Sequence, residues 1–193
     1  MFIDPKVAIA NGWVTGIANP DVQIQPNAID FTIDQMFTIN GDNTFIISEA
    51  GKQMRGGERI VPVERPRLSD NFCWTINSGI YDGLSNVYVD LPEGVACLPV
   101  IVRSTFNRNG IFITSGLYDS GYKGHIGFAV HNWLGKAQIG VGTRIGQLAF
   151  VKSEEAGLYA GGWNHEKGEI APHQEGDIMI GPGSDDYGED PIR

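Results

Sequence analysis

Short alternations of apolar and polar residues, separated by turn residues, recur along most of this chain and constrain its fold more than any other feature. They begin near Val22 and continue to Val151. Side chains that alternate every second residue are typical of half-buried β-strands. Gly, Asn, Asp and Pro mark turns at short spacing between them. The pattern therefore predicts an all-β fold, a distorted and mostly antiparallel barrel or a jelly-roll-like sandwich.

The strands are expected at 22–25, 29–33, 36–39, 44–47, 59–63, 72–76, 85–91, 96–102, 110–114, 125–132, 136–141 and 147–151. Asp4 and Pro5 predict a short helix over 6–11 that ends at Gly12, and no later segment shows a helical period. The last residues lose periodicity and accumulate Gly, Pro and Asp. We expect one domain over 1–168 and a mobile or disordered C-terminal tail over 169–193.

Composition excludes several classes of function. With 193 residues, 41% of them hydrophobic, the chain can bury one substantial core. A net charge of −9 argues against a nucleic-acid partner, and a polyphosphate ligand would need arginines and a divalent cation. Without a membrane span or a signal-peptide pattern, we expect no membrane partner and a cytoplasmic protein, in the host cytoplasm if viral. Cys73 and Cys97 are expected to be reduced, packed thiols, and the HxE and PCxxC signature of zinc-dependent base deaminases is absent.

The segment 116–124, Gly-Leu-Tyr-Asp-Ser-Gly-Tyr-Lys-Gly, combines a carboxylate and an aromatic ring with glycines. It predicts a tight β-hairpin, because glycine supplies the positive φ values that such turns need. Asp119 would be a general base that activates water, and Tyr122 would supply a flat face against a sugar or base. The alternative is that Asp119 only forms the turn.

Two further clusters contain groups suited to phosphate. Residues 103–110, Arg-Ser-Thr-Phe-Asn-Arg-Asn-Gly, place two guanidinium groups and two hydroxyls beside a glycine, and such groups bind phosphate oxygens. In 142–148, Arg144 and Gln147 interrupt an apolar strand. Gln147 would contact a phosphate or a sugar, or would only satisfy a backbone group, and 103–110 could equally be a solvated turn.

Asp30 and Trp163 belong to the two remaining clusters. Asp30 interrupts the apolar run 24–33, as a polar residue does in a half-buried strand. Trp163 lies in the glycine-hinged segment 161–168, which suits a lid that closes over a ligand and expels water. The alternative is a flexible tail whose tryptophan packs on a neighbour.

The order and spacing of these clusters resemble the dUTPase and dCTP deaminase superfamily. The matching motifs, within 22–168, are PNAIDF, RSTFNRNG, GLYDSGYKG, GTRIGQL and a degenerate GGWNHEKG. The resemblance implies a dUTPase-like β-clip fold and a homotrimer with active sites shared between subunits. It also implies that dUTP is bound with Mg²⁺ chelated by the triphosphate.

The resemblance assigns roles to the matching positions. Asp119 would activate the water that attacks the α-phosphorus, and Tyr122 would stack on the deoxyribose. The other substrate-binding residues would be Arg103, Ser104 and Gln147 at the phosphates, Thr105, Arg108, and Trp163 over the base, while Asp30 would support the triphosphate-bound Mg²⁺ indirectly. Phosphate contacts by Lys123, Arg144 or His165 stay open, as does whether the C-terminal arm covers its own or a neighbouring subunit's site.

The strand after the third motif distinguishes the branches of the superfamily. Deaminases of this kind carry a catalytic glutamate in a segment similar to GxIxLEFxN, and here 124–132 has Ala129 at that position. Without that carboxylate, no general base is placed to activate water at C4 of cytosine. The prediction is a pyrophosphatase that converts dUTP to dUMP and pyrophosphate. The alternatives are a dual enzyme that also hydrolyses dCTP, a dCTP deaminase, and a non-catalytic nucleotide-binding regulator.

Overall fold

The computed structural model describes residues 1–41, 47–48, 51–65, 72–101, 104–154, 157–161, 163–167, 169 and 178–180. These residues form three short helices, α1 (Pro5–Ala10), α2 (Pro20–Gln23) and α3 (Ser104–Arg108). They also form strands β1 (Val14–Thr15), β2 (Ile29–Thr38), β3 (Ile47–Ser48), β4 (Gly51–Met54), β5 (Val63–Glu64), β6 (Phe72–Ile76), β7 (Gly79–Asp90), β8 (Val95–Ile101), β9 (Ile111–Thr114), β10 (Lys123–Asn132), β11 (Ala137–Gly140), β12 (Arg144–Lys152) and β13 (Ile178–Ile180). The all-β prediction is confirmed.

The main sheet has seven antiparallel strands in the order β8-β12-β2-β7-β10-β9, with β1 also paired to β7. The two end strands, β8 and β9, contact each other, so the sheet is a nearly closed barrel. Two smaller sheets, β11-β6-β5 and β13-β4-β3, accompany it. Within the described part of the chain, no helix is long and apolar enough to cross a membrane.

Strand β10 shows how the sequence pattern positions the site. Its residues alternate regularly between buried and half-buried or exposed. Ile126, Phe128 and Val130 point into the core and are almost fully buried. Because successive side chains point to opposite faces of a sheet, the half-buried residues between them face away from the core. This outer face carries the cavity described below.

Three local expectations are corrected. Residues 22–25, expected as a strand, begin in helix α2, where Pro20 occupies the first turn and the Ile24 amide donates to the Pro20 carbonyl at 3.1 Å. A short helix, α3, lies in 103–110, where no helical period is visible because five residues are too few to show one. Residues 29–33 and 36–39, expected as two strands, lie mainly in the single strand β2, with an irregularity between Ile33 and Gln35.

The N-terminal helix agrees with its prediction, since Asp4 Oδ1 accepts from the Lys6 amide at 2.9 Å. Cys73 and Cys97 are both free and buried, as expected. Of the predicted tail 169–193, the structure describes Glu169 and β13, which pairs with β4. The rest of that tail and the expected strand residues 44–46 lie outside the described residues.

Candidate active site

The segment between β9 and β10 is a wide loop rather than the predicted tight hairpin. Strand β9 pairs only with the far end of β10, where Thr114 lies opposite Ala129. The turn itself is real: the Tyr122 amide donates to the Asp119 carbonyl at 3.1 Å, and Gly121 has φ +85°. Positive φ at the third turn position is typical of a type II turn. Asp119 is therefore held at the first position of a four-residue turn.

The connection between β7 and β8 fixes this turn from outside the loop. The Gly121 amide donates to the Leu91 carbonyl at 2.9 Å, and the Leu91 amide donates to the Tyr122 carbonyl at 3.0 Å. Tyr118 and Cys97 exchange two backbone hydrogen bonds, at 2.9 and 3.0 Å. These bonds need residues distant in sequence, which is why local turn signals predicted a simpler hairpin.

A cavity of about 360 Å³ lies between this loop and the outer face of β10. Its volume lies within the range of small-molecule sites. The described lining residues are Asp82, Leu84, Thr114, Ser115, Gly116, Leu117, Tyr118, Asp119, Tyr122, His125, Gly127, Phe128, Ala129, Tyr159, Trp163 and His165. Asp119, Tyr122 and Trp163, three of the predicted site residues, thus share one cavity.

The two tyrosines of the loop form the inner wall of the cavity. Their ring centroids are 4.8 Å apart, and the Tyr122 hydroxyl donates to the His125 carbonyl at 2.9 Å. Burial raises the pKa of Tyr118 to about 12 and also raises the pKa of Tyr122. Both hydroxyls therefore stay protonated at neutral pH and act as neutral donors.

Within 157–161 and 163–165, Tyr159, Trp163 and His165 line the cavity of their own chain. Tyr88 donates from its hydroxyl to the His165 carbonyl at 3.0 Å. The Lys123 amide donates to Asn164 Oδ1 at 2.8 Å, and the Tyr159 amide donates to the Ser120 carbonyl at 2.6 Å. Trp163 is among the lining residues, and its role as part of a lid stays a prediction.

The His165 ring bonds both to β10 and to its own segment. Its Nε2 accepts from the His125 amide at 3.0 Å, and its Nδ1 lies 3.1 Å from the Trp163 carbonyl. The ring of His125 stacks on it at 5.9 Å. Burial, followed by the neighbouring His165, lowers the pKa of His125, although the Ser85 carbonyl opposes this shift. Across the described residues, no group of three metal-binding side chains occurs.

Sequence reasoning missed Asp82, Thr114 and Tyr159. Asp82 lies directly across the β7–β10 pairing from Ala129, and both line the cavity. The predicted strand began only at Ser85, so Asp82 fell outside it. The relation between Asp82 and Ala129 depends on strand register, which a single sequence does not display.

A second cluster of side chains joins the first and fourth motifs. Gln147 and Asp30 are partners in the β12–β2 register, and Gln147 Nε2 donates to Asp30 Oδ1 at 2.9 Å. Arg144 Nη1 donates to Asp30 Oδ2 at 2.7 Å, and the Asp30 side chain is 1% exposed. None of the three is among the described lining residues of the cavity.

The second motif, 103–110, is described only in part. Arg103 lies outside the described residues, and for Ser104 and Thr105 only their backbone in α3 is described. Arg108 ends that helix and is exposed. The described lining of the cavity includes Asp82 and Asp119 but no lysine or arginine.

Residues 9–153 match the dCTP deaminase-like family. This match covers most of the chain, and the protein belongs to that family.

The individual relatives described next share less than 30% sequence identity with this chain. A probable deoxyuridine 5'-triphosphate nucleotidohydrolase from Methanopyrus kandleri is 29% identical over 72% of this chain and 86% of its own length. The protein of the same description from Halobacterium salinarum is 28% identical over 79% of this chain and 89% of its own length.

The fold also has a solved counterpart. The crystal structure of 2'-deoxycytidine 5'-triphosphate deaminase from Agrobacterium tumefaciens matches with a TM-score of 0.57 at 14% identity. The match covers 79% of this chain and 48% of that chain. It supports the fold and not the reaction.

Proposed function

We propose that this protein is a cytoplasmic nucleotide pyrophosphatase that hydrolyses dUTP to dUMP and pyrophosphate. One observation carries the proposal: an exposed carboxylate, Asp119, stands on a fixed turn at a cavity whose inner wall is Tyr122. The two relatives described as probable dUTP nucleotidohydrolases support this substrate. The free, buried Cys73 and Cys97 are typical of a reducing compartment.

In this reaction Asp119 accepts a proton from the water that attacks the α-phosphorus, as a general base placed at the cavity. Tyr122 presents its ring to the deoxyribose, and Trp163 with its neighbours Tyr159 and His165 excludes water from the base. A neutral, buried tyrosine suits this packing role. The catalytic domain extends over 1–168, and the tail is 169–193.

A divalent cation fits the charge of this site. The described cavity lining contains carboxylates and no cationic side chain, and Mg²⁺ binds carboxylate and phosphate oxygens. When bound, Mg²⁺ would neutralise charge on the triphosphate. Asp30 would act on it only indirectly, because its two oxygens are already bonded by Arg144 and Gln147.

Asp119→Asn tests the mechanism. The variant should bind a non-hydrolysable α,β-imido analogue of dUTP as the wild type does, and should lose about 10²-fold or more in turnover. Chromatography of dUTP, dUMP and pyrophosphate measures the reaction. Asp90→Asn is the matched control, since Asp90 forms an exposed ion pair with Lys123 at 3.2 Å. A fully active Asp119→Asn variant would refute the assigned base.

We also propose a homotrimer in which the phosphate-binding residues Arg103, Ser104, Thr105, Arg108 and Gln147 complete the cavity of a neighbouring subunit. Gln147 and its partners Asp30 and Arg144 are not among the described lining residues of the cavity, which supports shared sites. Sedimentation should give three chains per particle. Mixing inactive Asp119→Asn with inactive Gln147→Ala should restore part of the activity, because some mixed sites then contain both native residues. Failure to restore activity in confirmed mixed trimers would argue for sites within one chain.

A further inference from the structure

Three neighbouring strands place Asp82, Ala129 and Thr114 in one row across the outer face of the sheet. Asp82 is the partner of Ala129 in the β7–β10 register, and Thr114 is its partner in the β10–β9 register. Directly opposite side chains in antiparallel strands lie on the same face, with Cβ atoms about 5 Å apart. All three residues line the cavity. Ala129 thus leaves an open space between a carboxylate and a hydroxyl.

The next pair along the same face is apolar, and one of its members has no side chain. Gly127 lies opposite Leu84, and both line the cavity. The Gly127 carbonyl accepts from the hydroxyls of Ser115 and Tyr118. Because Gly127 has no side chain, this part of the wall leaves room for a planar ring. Asp82 supplies a charged group at its edge, near enough to Tyr118 that its charge contributes to that hydroxyl's raised pKa.

A carboxylate at this place discriminates between pyrimidines. An ionised carboxylate only accepts hydrogen bonds. At C4, cytosine carries an amino group, which donates, whereas uracil carries a carbonyl oxygen, which accepts. Asp and Glu accordingly pair with the amino group of cytosine in nucleic-acid recognition. The Thr114 hydroxyl, which lies 2.8 Å from His131 Nε2, can donate or accept and does not by itself distinguish the two bases.

We propose that Asp82 determines base preference: its carboxylate accepts a hydrogen bond from the 4-amino group of cytosine, so that the site takes dCTP as well as dUTP. This inference rests on the proposed function, since it places the base of a deoxynucleoside triphosphate in the cavity. Ala129 leaves room for the amino group beside the carboxylate. This hydrogen bond would support the alternative in which one enzyme hydrolyses both dCTP and dUTP.

The test compares kcat/KM for dCTP and dUTP in the wild type, Asp82→Asn, Asp82→Ala and the control Asp90→Asn. Both Asp82 variants should lower the dCTP-to-dUTP ratio about tenfold or more, while activity on dUTP is kept or raised. Asp90→Asn changes the same functional group on the same strand and should leave the ratio unchanged. A ratio within about twofold of wild type in both folded Asp82 variants would overturn the proposal.

Affinities of the α,β-imido analogues of dCTP and dUTP separate this proposal from the hydrolytic one. If the wild type hydrolyses neither nucleotide but its preference between the analogues depends on Asp82, only the proposed hydrolysis fails. If dUTP is hydrolysed but dCTP is neither bound nor hydrolysed, only the assignment of Asp82 fails. Formation of uracil nucleotides from dCTP would also overturn the assignment, because the amino group would be removed rather than held.

A chemical probe makes the test independent of any variant's folding. The 2-pyrimidinone analogue of dCTP lacks the 4-amino group and keeps the rest of the ring. The wild type should bind it about tenfold or more weakly than dCTP. Equal binding of the two would show that nothing in the site recognises the amino group.

Discussion

Arg144 Nη1 lies 2.7 Å from Asp30 Oδ2, and Gln147 Nε2 lies 2.9 Å from the other oxygen of the same carboxylate. In the Arg144–Asp30 ion pair, the Asp30 side chain is 1% exposed and the Arg144 side chain is 24% exposed. A buried ion pair is costly to break, because the remaining charge loses its partner. The first and fourth motifs are thus joined by one electrostatic cluster that also orients Gln147.

Asp30→Asn should therefore lower the free energy of unfolding by about 3 kcal/mol. The substitution keeps the side-chain shape but leaves the Arg144 guanidinium without its counter-charge. Urea denaturation measures the effect, with Asp21→Asn on the exposed surface of α2 as a control that should change little. A loss below about 1 kcal/mol would mean that water satisfies Arg144 in the variant.

Gly124→Ala should displace the segment that covers the cavity. A Cβ atom there would lie 2.5 Å from the Tyr122 hydroxyl and 2.6 Å from His165 Cε1. Overpacking of this kind typically costs about 1–3 kcal/mol, and here the bonds of His165 to β10 would be lost first. We expect a raised KM and faster proteolysis of 157–165. Gly41→Ala, whose Cβ would meet nothing within 4 Å, is the control, and equal proteolysis of both variants would contradict the expectation.

Stability should fall at alkaline pH because of the buried loop tyrosines. Burial raises the pKa of Tyr118 to about 12 and raises that of Tyr122 as well. Between pH about 10 and 12, these tyrosines lose their protons in the unfolded chain but keep them in the folded chain. The free energy of unfolding therefore falls as pH rises. The decrease is up to about 1.4 kcal/mol per pH unit for each tyrosine. The stabilising contribution is complete below about pH 10.

Tyr118→Phe should make that alkaline slope shallower by the contribution of one group, about 1.4 kcal/mol per pH unit at most. The rest of the slope should remain, because burial also raises the pKa values of Tyr122, Tyr88 and Cys97. At neutral pH the variant should lose only about 1 kcal/mol, for the hydrogen bond to the Gly127 carbonyl, which keeps its bond from Ser115. Denaturation curves across the alkaline range, with tyrosinate absorbance followed in parallel, give both quantities. An unchanged slope would mean that Tyr118 ionises normally in the folded protein.

Local pattern was sufficient to predict much of this fold. Alternation predicted β10 because that strand buries one face regularly. The pattern also predicted most of β12, in which 148–150 are buried consecutively, and Asp4 with Pro5 predicted α1 through its capping chemistry. The pattern failed at 22–25, where four residues are too few to separate a strand from a turn of helix. It also failed at 116–124, where bonds to Leu91 and Cys97 hold the turn within a wider loop.

The site residues also fall into those that local sequence predicts and those that depend on strand pairing. Asp119, Tyr122 and Trp163 could be placed from motifs, because each occurs in a recognisable glycine-rich segment. The mutual contact of Asp30, Gln147 and Arg144 depends on pairing between β2 and β12, and the position of Asp82 depends on the register of β7 against β10. Neither register is encoded in a short segment of sequence.

Strand β7 has neighbours on both edges, with β2 and β1 along one and β10 along the other. Asp82 stands on this strand, whereas Asp119 stands on a turn held by the connection after it. Asp82, which we assign to base recognition, and Asp119, which we assign to catalysis, therefore lie on separate structural elements. Single substitutions at position 82 could change which nucleotide pool an enzyme of this kind draws on during evolution, while the hydrolytic apparatus is inherited intact.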